Sequence, residues 1–499
     1  MRLRTPPILL VLALLNHGAA PHLAVLTAAP TPAGQSDDCA TDFERLVRTV
    51  ERNYAGYVLE VTASRRSAFE RHTERLRARA ASAAGEACYF ILRDFVAYFR
   101  DPHLFIFQST RLDTAESTRR ARVVDMRSID EVQARAYYLR NVRRLDPFEG
   151  IWYEPGPRVA VVRAPTGPRD AFQAVVLTSD TSAWRPGAIR ARFTRRPDGA
   201  YDAEVWSRNY ALRHLEARLH KRVLLRLSPG LWGKEFPVAK ADSGLLDPKD
   251  PHRPTLMVRH GTIVVSVPSH DPSFKARLDS LVQEHSAALT EADRVIIDLR
   301  GNEGGAAFMT RALLPFIASD SQRASRLREG EPVMLSSDDQ ITYVQRFLVA
   351  NGDATPSVQR LLARLRANPG RLVPMQDSLD SAGAGRDSVV AGRRRIGILI
   401  DGGTVSAAQA FLARAMRSTR VTVFGEPTAG ALDYQSVFIV PFQKTGRRWL
   451  LGYPTIAARA SLPAGGIKGR GIPPHIPIRW DRERDPIGRV DQELMKRQD

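Results

Sequence analysis

Ser406, in Asp401-Gly402-Gly403-Thr404-Val405-Ser406-Ala407-Ala408-Gln409, has the setting a nucleophile needs. The apolar run Arg395–Ile400 is of buried-strand length and stops at two glycines; Thr404 reads as the N-cap of a helix over 407–416. Ser406 then lies in the first helical turn. Free amides and the positive end of the helix dipole favour negative charge there. A serine at that point can give its proton to a base while nearby amides hold a developing oxyanion. The same position also suits a serine that only caps a helix.

A second stretch has the same plan. Arg294–Arg300 reads as a buried strand, followed by Gly301-Asn302-Glu303-Gly304-Gly305 and a helix over 306–317. Adjacent glycines let backbone amides approach a ligand. The Gly-Lys-Ser/Thr ending of a phosphate loop is missing, and the glycine spacing is not that of a dinucleotide fingerprint.

Together these stretches resemble serine peptidases of the tail-specific (C-terminal-processing) and tricorn type. The matching residues are Asp298 to Gly305, Thr404 to Gln409, Gly425-Glu426-Pro427-Thr428-Ala429-Gly430 and, as a closing segment, Gly469-Arg470-Gly471-Ile472-Pro473-Pro474-His475. The resemblance spans about residues 250–480. It implies a crotonase/ClpP-like α/β core, with Ser406 as nucleophile and an oxyanion hole from the amides of Ala407 and of Gly304 or Gly305. It also implies a general base upstream: Asp101-Pro102-His103-Leu104 matches the histidine element of members that do not use lysine. His103 is therefore the expected base, with an imidazole suited to the work near neutral pH. If 101–103 is extended, Asp101 shares a face with His103 and is a candidate orienting group. The tail-specific branch has a lysine where this chain has Ala431, so a Ser-Lys mechanism is not expected. Gln409 stands where glutamate is common, and no residue is assigned as third catalytic member. No metal or cofactor is implied. A catalytically inactive peptide- or ligand-binding relative is the alternative.

The rest of the chain must carry these residues. At 499 residues it has room for about three domains, and 43% hydrophobic with 25% charged residues is ordinary for a globular protein. The net charge of +19 comes from scattered arginines without an aromatic-interleaved basic tract, which argues against a nucleic-acid partner. Residues 1–30 read as an export signal: Arg2 and Arg4, an apolar run from Ile8 to Leu15, then small residues with cleavage expected after Ala20 or near Ala29. No later run is long and apolar enough for an integral membrane segment. The expected location is periplasmic or extracellular, where Cys39 and Cys88 can form a disulfide.

A helical domain ending in the Asp-Pro-His element is expected over 35–115, and a β-rich domain, barrel or sandwich, over 116–245. Its tryptophans, Trp152, Trp184, Trp206 and Trp232, read as core. Residues 240–256 read as a linker and 250–490 as the catalytic core, interrupted by an insertion at 318–392. That insertion has one clear helix at 357–367 and a polar stretch near 377–387, together read as a lid. The fold class is thus α+β multidomain, acting on a peptide or protein substrate. Oligomeric state is not legible in the sequence.

Overall fold

The computed structural model describes residues 38–108, 114–154, 156–179, 184–227, 230–259, 261–318, 332–350, 356–375, 394–441, 449–458 and 466–496. The expected export signal and the polar stretch at 377–387 lie outside them.

Four helices open the described chain: α1 (Cys39–Asn53), α2 (Ala55–Glu60), α3 (Ala63–Ala80) and α4 (Gly85–Ala97). Asp38 caps α1 by accepting from the Thr41 amide at 2.6 Å. Phe43, Leu46 and Val50, on one face of α1, are fully buried against Phe69 of α3 and Leu92 and Phe95 of α4. A disulfide between Cys39 and Cys88, with Cα atoms 5.6 Å apart, joins the starts of α1 and α4. The chain leaves α4 through a turn at 101–103 and enters β1 (Phe105–Gln108).

Two helices, α5 (Thr114–Arg122) and α6 (Glu131–Asn141), lead to a closed antiparallel barrel. Its strands are β2 (Gly150–Tyr153), β3 (Pro157–Arg163), β4 (Ala171–Ser179), β5 (Ile189–Arg195), β6 (Tyr201–Trp206), β7 (Leu212–His220), β8 (Leu224–Leu227) and β9 (Gly230–Phe236), with β9 pairing back to β2. Phe148, Trp152, Phe172, Phe193, Tyr201 and Trp232 fill the interior, so the barrel is a packed core and not a channel. Trp184 is buried with them, and Trp206 is half-buried.

The core sheet begins with β10 (Thr255–Arg259), within what reads in sequence as the linker's end, antiparallel to β11 (Thr262–Ser266). It continues in parallel through β12 (Arg294–Asp298), β15 (Arg395–Ile400), β16 (Val421–Gly425) and β19 (Ile476–Pro477). The helices α7 (Lys275–Glu284), α8 (Ser286–Glu291), α9 (Leu314–Ile317), α12 (Ala407–Ala415) and α13 (Pro486–Met495) accompany this sheet. The helix expected at 306–317 is a 3₁₀ segment, Ala307–Leu313, before it becomes α9. Pro315, near the start of α9, has no N–H to donate back into the preceding turn.

A second sheet runs β1, β18 (Trp449–Ala457), β13 (Val333–Leu335), β14 (Leu372–Pro374), with β17 (Tyr434–Pro441) on the same β18. Through the β1–β18 pairing the helical segment is anchored to the core. The insertion contains two helices, α10 (Asp338–Ala350) and α11 (Pro356–Ala367), where only the second is clear in the sequence. Both α12 and the Gly301–Gly305 turn start at the carboxyl ends of adjacent parallel strands, which is where open α/β sheets place their sites.

Candidate active site

Ser406, not Thr404, is the N-cap of α12. The Thr404 hydroxyl is turned inward instead. It donates to Leu299 O at 3.0 Å and accepts from the Asp401 amide at 3.2 Å, stitching the turn to the end of β12. Ser406 has φ 53° and ψ −119°. A serine that only caps a helix sits in the β region. A non-glycine residue held at these angles is strained by roughly 1–3 kcal/mol. A sharp strained turn between strand and helix is the conformation that lifts a serine hydroxyl clear of the sheet toward a substrate.

The fully buried Gln409 fastens this turn. Its Oε1 accepts from the Ser406 amide at 3.2 Å and from the Ala431 amide at 2.9 Å, and its Nε2 donates to Thr428 Oγ1 at 2.6 Å. Ala431, 1% exposed, has no room for the lysine of the tail-specific branch without repacking.

Gly304 is pressed against the Ser406 turn: a Cβ there would stand 2.7 Å from Ser406 Cβ and 2.8 Å from the Ala407 nitrogen. Ala407 opens α12, so its N–H has no helical acceptor. The two glycine amides are not equivalent. Gly304 N–H donates to Asn302 Oδ1 at 2.9 Å, which withdraws it from the oxyanion role expected of either glycine. Gly305 forms a bridge to His270, whose amide donates to Gly304 O at 3.1 Å and whose carbonyl accepts from Ala306 at 2.8 Å. The Gly305 N–H takes no part in that pairing and has no acceptor among the described residues. Gly305 and Ala407 are therefore the pair of candidate oxyanion donors.

Nothing in the sequence marks His270 as part of this apparatus. It is fully buried, and burial pushes its pKa down to about 4 despite the hydrogen bond to Asn302. Asn302 Oδ1 is the acceptor of both His270 Nδ1–H, at 3.0 Å, and Gly304 N–H, while Asn302 Nδ2 donates to Val267 O at 2.7 Å. The imidazole is thus neutral, and it fixes the side chain that fixes the glycine turn. Only its closeness to the glycines in three dimensions gives it away.

His103 is 7% exposed and lies in a turn, not a strand. Its Nδ1 is 2.6 Å from the carbonyl oxygen of Tyr434. A carbonyl only accepts, so Nδ1 carries the proton and Nε2 keeps the lone pair, the tautomer a general base needs. Asp101 does not hydrogen-bond the ring, contrary to the extended-strand expectation. Its Oδ1 accepts from the His103 amide at 2.9 Å and its Oδ2 from Tyr54 Oη at 2.8 Å. Asp101 shapes the turn and lends the imidazole a nearby charge; burial holds its own pKa up, with His103 working the other way.

Around these residues, Tyr434 Oη donates to Glu60 at 2.7 Å, and Lys468 Nζ donates to Glu60 and, at 2.8 Å, to Phe99 O. The segment 431–434 thus touches both halves of the site: Ala431 bonds the helix that begins at Ser406, and Tyr434 bonds His103. No cluster of candidate metal ligands occurs among the described residues.

The sequence profile of Peptidase family S41 matches residues 264–478, a stretch that takes in both glycine turns and the segment 431–434. Residues 264–478 belong to peptidase family S41. The S41 assignment supports a serine peptidase, a hydrolase acting on peptide or protein substrates. No significant match was found among curated proteins. Solved structures with a similar trace include mature CPAF (14% identity, TM-score 0.42, 88% of this chain and 92% of that one). The photosystem II D1 C-terminal processing protease is another (12%, 0.33, 89% and 94%). Tricorn protease is a third (10%, 0.38), with 93% of this chain aligned to 37% of that one.

Proposed function

We propose that the chain is an exported serine peptidase that cleaves peptide bonds through an acyl-enzyme on Ser406, with His103 as general base. The observation that carries this reading is the positive φ of Ser406 at a helix N-cap, which capping alone does not require. In the proposed cycle His103 Nε2 takes the Ser406 hydroxyl proton as Oγ attacks the scissile carbonyl. The Gly305 and Ala407 amides receive the oxyanion, and His103 returns the proton to the leaving amine. Water then enters, gives a proton to His103 as its oxygen attacks the ester, and the regenerated serine takes that proton back. The Tyr434 carbonyl orients the ring in place of a carboxylate, and Asp101 supplies charge from beside it. Export to the periplasm or the exterior is supported by the basic-then-apolar opening residues and by the Cys39–Cys88 disulfide, a bond that persists in oxidising compartments.

Fluorophosphonate labelling of the wild type, Ser406→Ala and His103→Ala tests the reading. Labelling lost in both variants is the expected result. Folded wild type that takes no label points to an inactive binding relative, and label that survives His103→Ala means a different base.

A further inference from the structure

The β7–β8 turn of the barrel is inserted between the two glycine turns of the core. His220 Nδ1 donates to Asp401 Oδ2 at 2.6 Å, and the other oxygen of that carboxylate accepts from Gly301 and from Gly403, both at 2.9 Å. One carboxylate therefore ties the start of the oxyanion turn to the start of the nucleophile turn, and a barrel residue holds the carboxylate. The imidazole also fills the space between the turns. A Cβ on Gly301 would lie 2.9 Å from His220 Cγ, and one on Gly403 would lie 2.3 Å from His220 Cε1.

Of the neighbouring barrel residues, Lys221 holds the ends of β12 and β11 and Arg226 holds the two turns. Lys221 Nζ lies 3.4 Å from Asp298 and donates to Ser266 Oγ at 3.1 Å. Arg226 Nε pairs with Glu303, the residue before Gly304, at 2.8 Å, and its Nη1 reaches Gly403 O at 3.4 Å. Lys221 and Arg222 both have positive φ, 55° and 59°. His220 Nε2 is buried with no hydrogen-bond partner among the described residues. Strained backbone and an orphaned polar atom both cost stability, so the turn is held by what it grips.

We infer that His220 is a positioning residue for the oxyanion hole. Through Asp401 it sets the spacing of the 301 and 403 turns, and with it the spacing of the Gly305 and Ala407 amides downstream. The barrel is then part of the catalytic apparatus and not only a wall beside it. The inference rests on Ser406 being the nucleophile.

The test is the second-order rate of full-length protein with fluorophosphonate–rhodamine, whose phosphonyl oxygen occupies an oxyanion hole, measured from about pH 5 to about pH 9. His220→Leu is expected to label roughly 30- to 100-fold more slowly at every pH, with the midpoint of the profile unchanged because the base is intact. His220→Asn, which keeps a donor where Nδ1 stands, is expected to recover to within about 5-fold of wild type. Arg226→Gln, at a partly exposed position, is expected to be about 3- to 10-fold slow. A purely structural role would lower the melting temperature while leaving these rates alone. The inference is overturned if folded His220→Leu labels within about 3-fold of wild type, or if His220→Asn is no faster than His220→Leu. Should His220→Leu not fold, an unchanged rate in Arg226→Gln overturns it. Wild type that does not label, or label that survives Ser406→Ala, removes the nucleophile reading and this inference together. Label that depends on Ser406 but ignores His220 removes this inference alone.

Discussion

Gly304 and Ser406 are packed so closely that a methyl group on the glycine would stand 2.7 Å from the serine Cβ. Gly304→Ala therefore carries two penalties: a φ of +89° that a side chain resists, and a clash with Ser406, Val405 O and the Ala407 nitrogen. Gly370, at φ +71° with nothing within 4 Å of where a methyl group would stand, isolates the first penalty. Gly370→Ala should cost about 1 kcal/mol in urea unfolding and leave labelling of Ser406 intact. Gly304→Ala should cost roughly 1–3 kcal/mol and slow labelling by at least about 100-fold, because the turn must move off Ser406. Equal effects of the two substitutions would mean the contact has no catalytic consequence.

Asp101→Asn separates charge from shape at His103, the proposed base. The asparagine oxygen can still accept from the His103 amide, so the turn is kept, but the negative charge beside the imidazole goes. Without that charge the protonated ring is less favoured. The plateau rate of labelling should fall about 3- to 30-fold as the imidazolium formed during attack is less stabilised. A plateau rate within about 2-fold of wild type would show that Asp101 does not act on His103 through its charge.

Much of the site is legible in the sequence because it is built from local signals. Strand and paired glycines lead into a 3₁₀ segment and short helix at 294–317 and into a helix at 395–415, so residue order alone places Ser406 and the glycine turn. The misses are long-range. Leu212–His220 falls in the expected β-rich domain, but no local signal shows that its pairing with β6 and β8 brings its last residue to the core. His220 is invisible in the sequence because its partner Asp401 is 181 residues away. His270 and Tyr434 are hidden likewise, the one 32 residues from Asn302 and the other 331 from His103. Which of two adjacent glycine amides stays free is not legible either, since it depends on the Asn302 rotamer.

His270 gives the fold a definite acid sensitivity. Its native pKa is about 4 and its ordinary value 6.5, so the unfolded chain binds the proton more tightly. The stabilisation is fully present above about pH 6.5 and is lost as the pH falls toward 4, amounting to roughly 3 kcal/mol for this one group. Urea unfolding across this range should show the loss in wild type. His270→Gln should be less stable at neutral pH, where Asn302 and Thr310 lose a matched partner, yet flatter between pH 6.5 and 4. A variant as steep as wild type would assign the acid sensitivity to other groups.

Reduction of the Cys39–Cys88 bond tests how independently His103, the proposed base, is held. The bond closes a segment of 49 residues, and the chain-entropy account gives it about 4 kcal/mol of stabilisation. Cys39→Ser with Cys88→Ser should therefore lower the melting temperature clearly. His103 lies beyond that closed segment and has anchors of its own. Its ring is bonded to Tyr434 O, its amide to Asp101, Tyr54 holds Asp101 from α1's end, and Lys468 ties Phe99 O to the core. The double variant, while folded at 25 °C, should label Ser406 within about 3-fold of wild type. Label lost on reduction with the far-UV spectrum unchanged would show that these four contacts do not suffice, and that the disulfide governs the position of the base.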